Sequence, residues 1–192
     1  MKLTTFLALV LTKLMFNVVR MFDRVAMKIV LRKILAAIVI LIGAMAASPI
    51  LADYEDGVAA IERGQYAAAF KEFRPLAEQG HAAAQYYLGL MYEQGDGVEQ
   101  DHVESARWYT RAAEQGDGLS QLNLSFLYFY GEGVALDLVE ALKWLYLAKD
   151  SQIRGADMGI DLTKQKMTPE QIENAQQKAQ AWRPMPKRET VK

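Results

Sequence analysis

Apolar residues recur at three- and four-residue intervals through most of the chain after residue 53, in short paired runs separated by glycine-containing breaks. Ala84, Leu88, Met91 and Tyr92 fall on one face of a helix, and Ala106, Tyr109, Ala112 and Ala113 on one face of the next. The break between them, Gly95 to Gln100, carries two glycines that adopt positive φ without a Cβ penalty. Asp101 then predicts an N-cap, with Glu104 three residues on, placed to reach back to the cap's own N–H. Sliding the chain along itself brings Leu88 onto Leu124, Gly95 onto Gly131, Gly97 onto Gly133, Asp101 onto Asp137, Glu104 onto Glu140 and Trp108 onto Trp144, a shift of 36 each time. The same step carries Ala77-Glu78-Gln79-Gly80 onto Ala113-Glu114-Gln115-Gly116, so a more degenerate copy precedes the two clear ones. A period of this size is the signature of stacked helical pairs.

The flanking segments fit the same plan. Asp53 to Gln79 predicts a first pair, with a kink near Phe73 because Pro75 interrupts the second helix. Gly80 and Gly116 suit helix C-caps, and Trp108 and Trp144 supply large surfaces to bury between units. Ser151 to Lys166 reads as the start of a final, worn repeat weakened by Gly155 and Gly159. Thr168-Pro169-Glu170-Gln171 is a strong helix start, and the helix should run to Trp182, with Ile172, Ala175, Ala179 and Trp182 covering the last repeat.

The pattern Leu-Gly-x-x-Tyr, Gly-x-Gly-Val, Asp, Ala-x-Trp-Tyr, Ala-Ala-Glu-Gln-Gly resembles the Sel1-like repeat, a variant of the tetratricopeptide repeat, strongly over residues 83–149 and weakly over 57–80. The resemblance implies an all-α fold: a short right-handed α-solenoid of antiparallel helix pairs, with about three repeats (53–80, 81–116, 117–152) and a C-terminal cap over 153–182. The second clear copy has Ser125 in place of Gly89 and Leu145 in place of Tyr109, and the serine is expected to push its helices slightly apart. A secreted, cysteine-rich branch of such proteins has been linked with β-lactam binding; this chain has no cysteine, so that transfer is refused.

Charge divides the 192 residues in two. Residues 1–52 hold seven basic groups and one acid, and the remainder 15 basic and 22 acidic groups, for nets of +6 and −7. Lys28, Arg32 and Lys33, then the apolar run Ile34 to Ala46, read as a signal peptide over 27–52 with cleavage before Asp53. Retained, the same run would anchor the chain in the inner membrane. Residues 1–26 read as an upstream extension: Lys13 in the middle of its apolar stretch opposes membrane insertion, and Met27 is the expected true start because the segment from it onward suffices as a leader. The expected location is the bacterial periplasm or outside the cell. Residues 183–192, with four basic groups and two prolines, read as a flexible tail. An acidic body repels phosphates, so no nucleic-acid partner is expected, and a membrane contact is expected only through an uncleaved leader.

No catalytic constellation is present in the sequence. His81 and His102 lack a second ligand at helical spacing, the Gly-Asp-Gly and Gly-Glu-Gly loops lack the lysine of a phosphate loop, and no serine sits in a nucleophile turn. No cofactor or metal is expected, and the chain is expected not to be an enzyme. What remains is surface. By the resemblance, the first helix of each pair lines a concave groove, which assigns Tyr86, Leu90 and Glu93, and one period later Leu122, Phe126, Phe129 and Tyr130, to binding a protein or peptide partner. Leu119 to Tyr130 is apolar almost all round, so the competing expectation is that the C-terminal segment folds over this helix and closes the groove. The expected function is an envelope scaffold or adaptor, the alternative an accessory or enzyme acting on cell-wall material.

Overall fold

In the computed structural model residues 49–184 are described, and they form eight α-helices with no strand among them. α1 (Pro49–Glu62) pairs with α2 (Tyr66–Glu78), α3 (Ala82–Gln94) with α4 (His102–Glu114), and α5 (Gly118–Tyr130) with α6 (Leu138–Asp150). Each second helix also packs against the first helix of the following pair, so the pairs stack in chain order as an all-α solenoid. α7 (Ala156–Lys164) and α8 (Pro169–Ala181) both pack on α6. The expected extension, the leader up to residue 48 and the tail from residue 185 lie outside the described residues. α1 runs without a break through the expected cleavage point before Asp53.

The 36-residue repeat is visible atom by atom. Asp101 and Asp137 have extended backbones (φ −149° and −147°) and each accepts two N–H groups, from Val103 and Glu104 and from Val139 and Glu140. The reach-back expected of Glu104 and Glu140 is not made. The N–H groups of Asp101 and Asp137 already donate to Tyr92 and Tyr128 carbonyls at 2.9 and 3.0 Å, so the two carboxylates turn to Arg107 and to Lys143 and Lys178. The complete capping box occurs at Thr168 and Gln171, at the start of α8. Helix ends repeat too: His81, Asp117 and Ile153 donate to Leu76, Ala112 and Ala148 across Gly80, Gly116 and Gln152, all at positive φ.

The second glycine of each Gly-x-Gly loop has a steric cause. A Cβ on Gly133 would lie 2.0 Å from the His102 carbonyl oxygen, and one on Gly97 would lie 2.5 Å from the backbone of Tyr66 and Ala67. These loops press directly on the start of the preceding repeat's second helix, so backbone meets backbone between units. A buried glutamine supplies the second link: Gln85 and Gln121 donate to the carbonyls of Ala77 and Ala113, the last turn of the preceding unit, at 3.0 and 3.2 Å.

Within a pair, small meets large. Gly57 lies against Phe73 and Gly89 against Tyr109, where added Cβ atoms would come within 2.6 and 2.5 Å of the rings. In the third pair Ser125 and Leu145 take these places, and both are buried. The serine does not stand against an aromatic ring, and its hydroxyl donates to the Leu122 carbonyl, so the separation expected from its extra atoms is offset by the smaller leucine. α2 continues through Pro75 to Glu78 without a break, although the proline has no N–H to give the Lys71 carbonyl.

Three apolar clusters follow the stack. The first joins Phe73, Leu76, Leu88 and Trp108, with the Phe73 and Tyr87 rings stacked at 4.7 Å; the second is built on Tyr109, Leu124 and Trp144; the third joins Leu142, Leu145, Ile160 and Ala175.

Candidate functional site

The first helices form the inner layer, where α3 touches α5 directly. Counting in steps of 36 extends their register past the third pair into α7. Ala84, Ser120 and Ala156 are all buried, and so are Leu88, Leu124 and Ile160, so α7 is a fourth first helix in phase with α3 and α5. At the other end Gly57 answers to Gly89 after 32 residues, because the loop joining α1 and α2 is four residues shorter.

This register draws two apolar rows across the inner layer. One is Tyr54, Tyr86, Leu122 and Met158; the other is Val58, Leu90, Phe126 and Leu162. Tyr54, Val58, Tyr86, Leu90 and Leu122 are half-buried against the three clusters. Phe126, Leu162 and Met158 are 39, 51 and 69% exposed, so the rows open towards the C-terminal end. There Phe126, Phe129 and Tyr130 of α5 and Leu162 of α7 line a shallow crevice whose floor is Ser125, Leu145 and Gly159.

All seven residues assigned from sequence lie on α3 or α5, in two different settings. Tyr86 is half-buried with its ring 6.1 Å from that of Tyr109, and Leu90 and Leu122 rest against the core. Phe126 and Tyr130 are open, and Phe129 lies edge-on to Tyr130 with the Lys166 ammonium 5.3 Å from its ring centre. Glu93 has a structural occupation: the Tyr109 hydroxyl donates to its carboxylate at 2.6 Å and accepts from the Asn123 side-chain amide at 3.0 Å. Burial, then the hydrogen bond to Glu93, pushes the Tyr109 hydroxyl well above the ordinary tyrosine range, which keeps it a donor. This bridge ties α3, α4 and α5 together beneath the rows. Sequence reading missed Asn123 and Tyr109 as its members, and missed Met158 and Leu162; one more step of 36 from Leu122 and Phe126 finds the latter pair.

The groove is not closed by the C-terminal helix. α8 runs along α6 on the far side of the pair, with Ala175 buried against the third cluster, the Trp182 ring edge-on to Trp144 at 6.4 Å, and Lys178 bonded to Glu140 at 2.8 Å. The expectation of a cover over α5 fails because α6 offers the apolar strip that α8 needs. Among the described residues no group of three or more His, Cys, Asp or Glu is arranged to hold a metal ion, and no helix is long and apolar enough to cross a membrane. His81 caps α3, its Nδ1 accepting the Ala84 N–H at 3.2 Å.

The Sel1 repeat model matches residues 82–117 and 118–152, the two units whose caps, loops and buried glutamines coincide above. The chain carries two Sel1 repeats. α1, α2 and α7 lie outside those two matched units, so the solenoid is longer than its clearest repeats. In structure it is similar to c5321, a protective antigen of uropathogenic Escherichia coli strains with an SLR fold: 30% identity and a TM-score of 0.67 over 72% of this chain and 30% of that one. A Sel1 repeat protein from Oxalobacter formigenes matches at 26% identity and a TM-score of 0.56, over 67% of this chain and 53% of that one. A curated relative, the exopolysaccharide production negative regulator of Rhizobium leguminosarum bv. viciae, is 37% identical over 57 residues, or 30% of this chain. This chain covers about a fifth of that relative's length, 21%. Sel1 repeat proteins are generally protein-interaction scaffolds, and the fold is typically non-catalytic.

Proposed function

We propose that this Sel1-like protein is a non-enzymatic adaptor of the bacterial cell envelope that holds a partner protein on the inner face of its solenoid. The observation that carries the reading is the open end of the two apolar rows, where Phe126, Tyr130, Met158 and Leu162 stand 39 to 69% exposed on adjoining first helices while the C-terminal helix packs elsewhere. Apolar surface of this extent on neighbouring elements is the mark of an interaction site. A periplasmic location is proposed from the basic n-region and apolar run before Asp53, and the curated relative's name, a regulator of exopolysaccharide production, suits an envelope process.

Photocrosslinking in living cells tests the reading. A benzophenone side chain placed at Tyr130, on the inner face, should give a discrete adduct with one envelope protein; the same group at exposed Arg107, on α4, should not. The adduct should disappear in the Met158→Ser/Leu162→Ser background, and the mass of the captured chain should begin at Asp53. Adducts from Arg107 alone would remove the inner-face reading, and a captured chain that keeps the leader would replace export with anchoring.

A further inference from the structure

Stepping along the second helices by 36 residues brings Phe70 onto Ala106 and Ala106 onto Leu142. Phe70 packs on the first apolar cluster with its ring edge-on to that of Tyr92 at 5.6 Å, and Leu142 is buried in the third cluster. Between them Ala106 puts one methyl group where its counterparts put an aromatic ring and a branched chain. A cavity of about 300 Å³ opens at this place, on the side of the second helices, between α4 and the loop that carries Gly133 and Val134.

The lining is of two kinds. Val103, Ala106 and Val134 are apolar, while Arg107 and Arg111 stand one turn apart on the exposed face of α4. Arg107 is paired with Glu104. Arg111 has no ion pair among the described residues; neither Glu114, one turn further on, nor Glu132, in the loop, comes within 4.0 Å of it. Its guanidinium rests over the Trp108 ring, 4.6 Å from the centre, which holds the planar fork in place. Thr110, also in the lining, donates its hydroxyl to the Ala106 carbonyl at 2.7 Å, so the donors left for an anion are the arginines.

Size and charge specify an occupant. Small-ligand sites begin at about 300 Å³ and combine apolar walls with a few polar or charged groups. One of the two guanidinium groups is already balanced, so a single negative charge is wanted. A carboxylate supplies that charge and matches the Arg111 fork with two oxygens, whereas a phosphate dianion brings one charge more than is free to meet it. The apolar part takes a ring-sized group, as Phe70 supplies one repeat earlier.

We propose that this cavity binds a small monocyclic carboxylic acid, its ring over Ala106 and its carboxylate on Arg111 with Arg107 beside it. The site lies on the layer opposite the apolar rows and stands whether or not the inner face holds a partner.

The probe is phenylacetate, titrated against the full chain by ligand-observed NMR. It should bind at least about tenfold more tightly than phenylacetamide, which keeps the ring without the charge, and than acetate or inorganic phosphate, which keep charge without the ring. Arg111→Gln should weaken it by about tenfold, and Arg74→Gln, at an exposed arginine one repeat earlier, should not change it. Ala106→Phe should abolish binding by filling the cavity from within, with a urea midpoint no lower than the parent's. If that ring unsettles the fold, Arg111→Gln and the amide comparison decide alone. Equal binding of the amide, acetate or phosphate overturns the proposal, as does parent-like affinity in Arg111→Gln or no binding of phenylacetate up to about 20 mM. Tighter binding of acetyl-Gly-Gly-Phe, the same ring and carboxylate at the end of a chain, would give the cavity to a protein terminus and overturn its assignment to a free acid.

Discussion

Gly133 shows how much of this fold is decided by single atoms. Its φ of +70° alone disfavours any side chain, and a Cβ would in addition collide with the His102 carbonyl at 2.0 Å. Gly64 has a similar φ, +68°, with nothing within 4 Å of the place a Cβ would take. The two positions therefore separate conformational strain from inter-repeat contact. Gly64→Ala should cost about 1 kcal/mol and Gly133→Ala about 3 kcal/mol, measured as shifts in urea unfolding. Equal losses would mean that the loop does not press on the preceding repeat. At the same scale, Asp101 and Asp137 were legible from sequence as caps, because an acid after a glycine loop and before an apolar helix has one obvious use. The role of their companions Glu104 and Glu140 was not. Whether a carboxylate reaches back to the cap depends on whether the cap's N–H is already engaged, and Tyr92 and Tyr128 supply those partners from another helix.

Among the elements, α8 is the one whose place a pattern could not give. Its apolar face, Ile172, Ala175, Ala179 and Trp182, was readable, and so was its start at Thr168. Which helix would receive that face was not, since α5 and α6 are both strongly apolar and only packing distinguishes them. Part of the attachment to α6 is ionic. Burial raises the Glu140 carboxyl, but hydrogen bonds from Lys143 and Lys178 outweigh it and hold the group below its ordinary value of 4.5. A carboxylate with a depressed folded pKa stabilises above its unfolded value, and that contribution is lost as pH falls through the folded one. Stability should therefore drop below about pH 4.5. Urea midpoints followed from pH 7 to pH 3.5 should fall more steeply in the parent than in Glu140→Gln, which begins lower at neutral pH. Parallel curves would show that the Glu140 bridge to α8 does not contribute.

The whole molecule was legible as a stack because its period is a property of the sequence. Buried positions recur at 36 residues, and the family resemblance rests on the same residues as the packing. The extent of the inner face was less legible. α7 is followed by neither the Gly-x-Gly loop nor the tryptophan-bearing helix of a clear repeat and keeps its apolar phase, Ala156, Ile160, Met158 and Leu162, which single-sequence reading sees as a worn fragment. The most direct test is whether those inner positions are surface or core. Urea unfolding of Met158→Ser/Leu162→Ser, beside Leu124→Ser as the fully buried comparison, decides it. An open inner face predicts a loss of about 1 kcal/mol for the double variant against about 3 kcal/mol or more for Leu124→Ser. Comparable losses would place the rows in the core and contradict a surface kept for a partner.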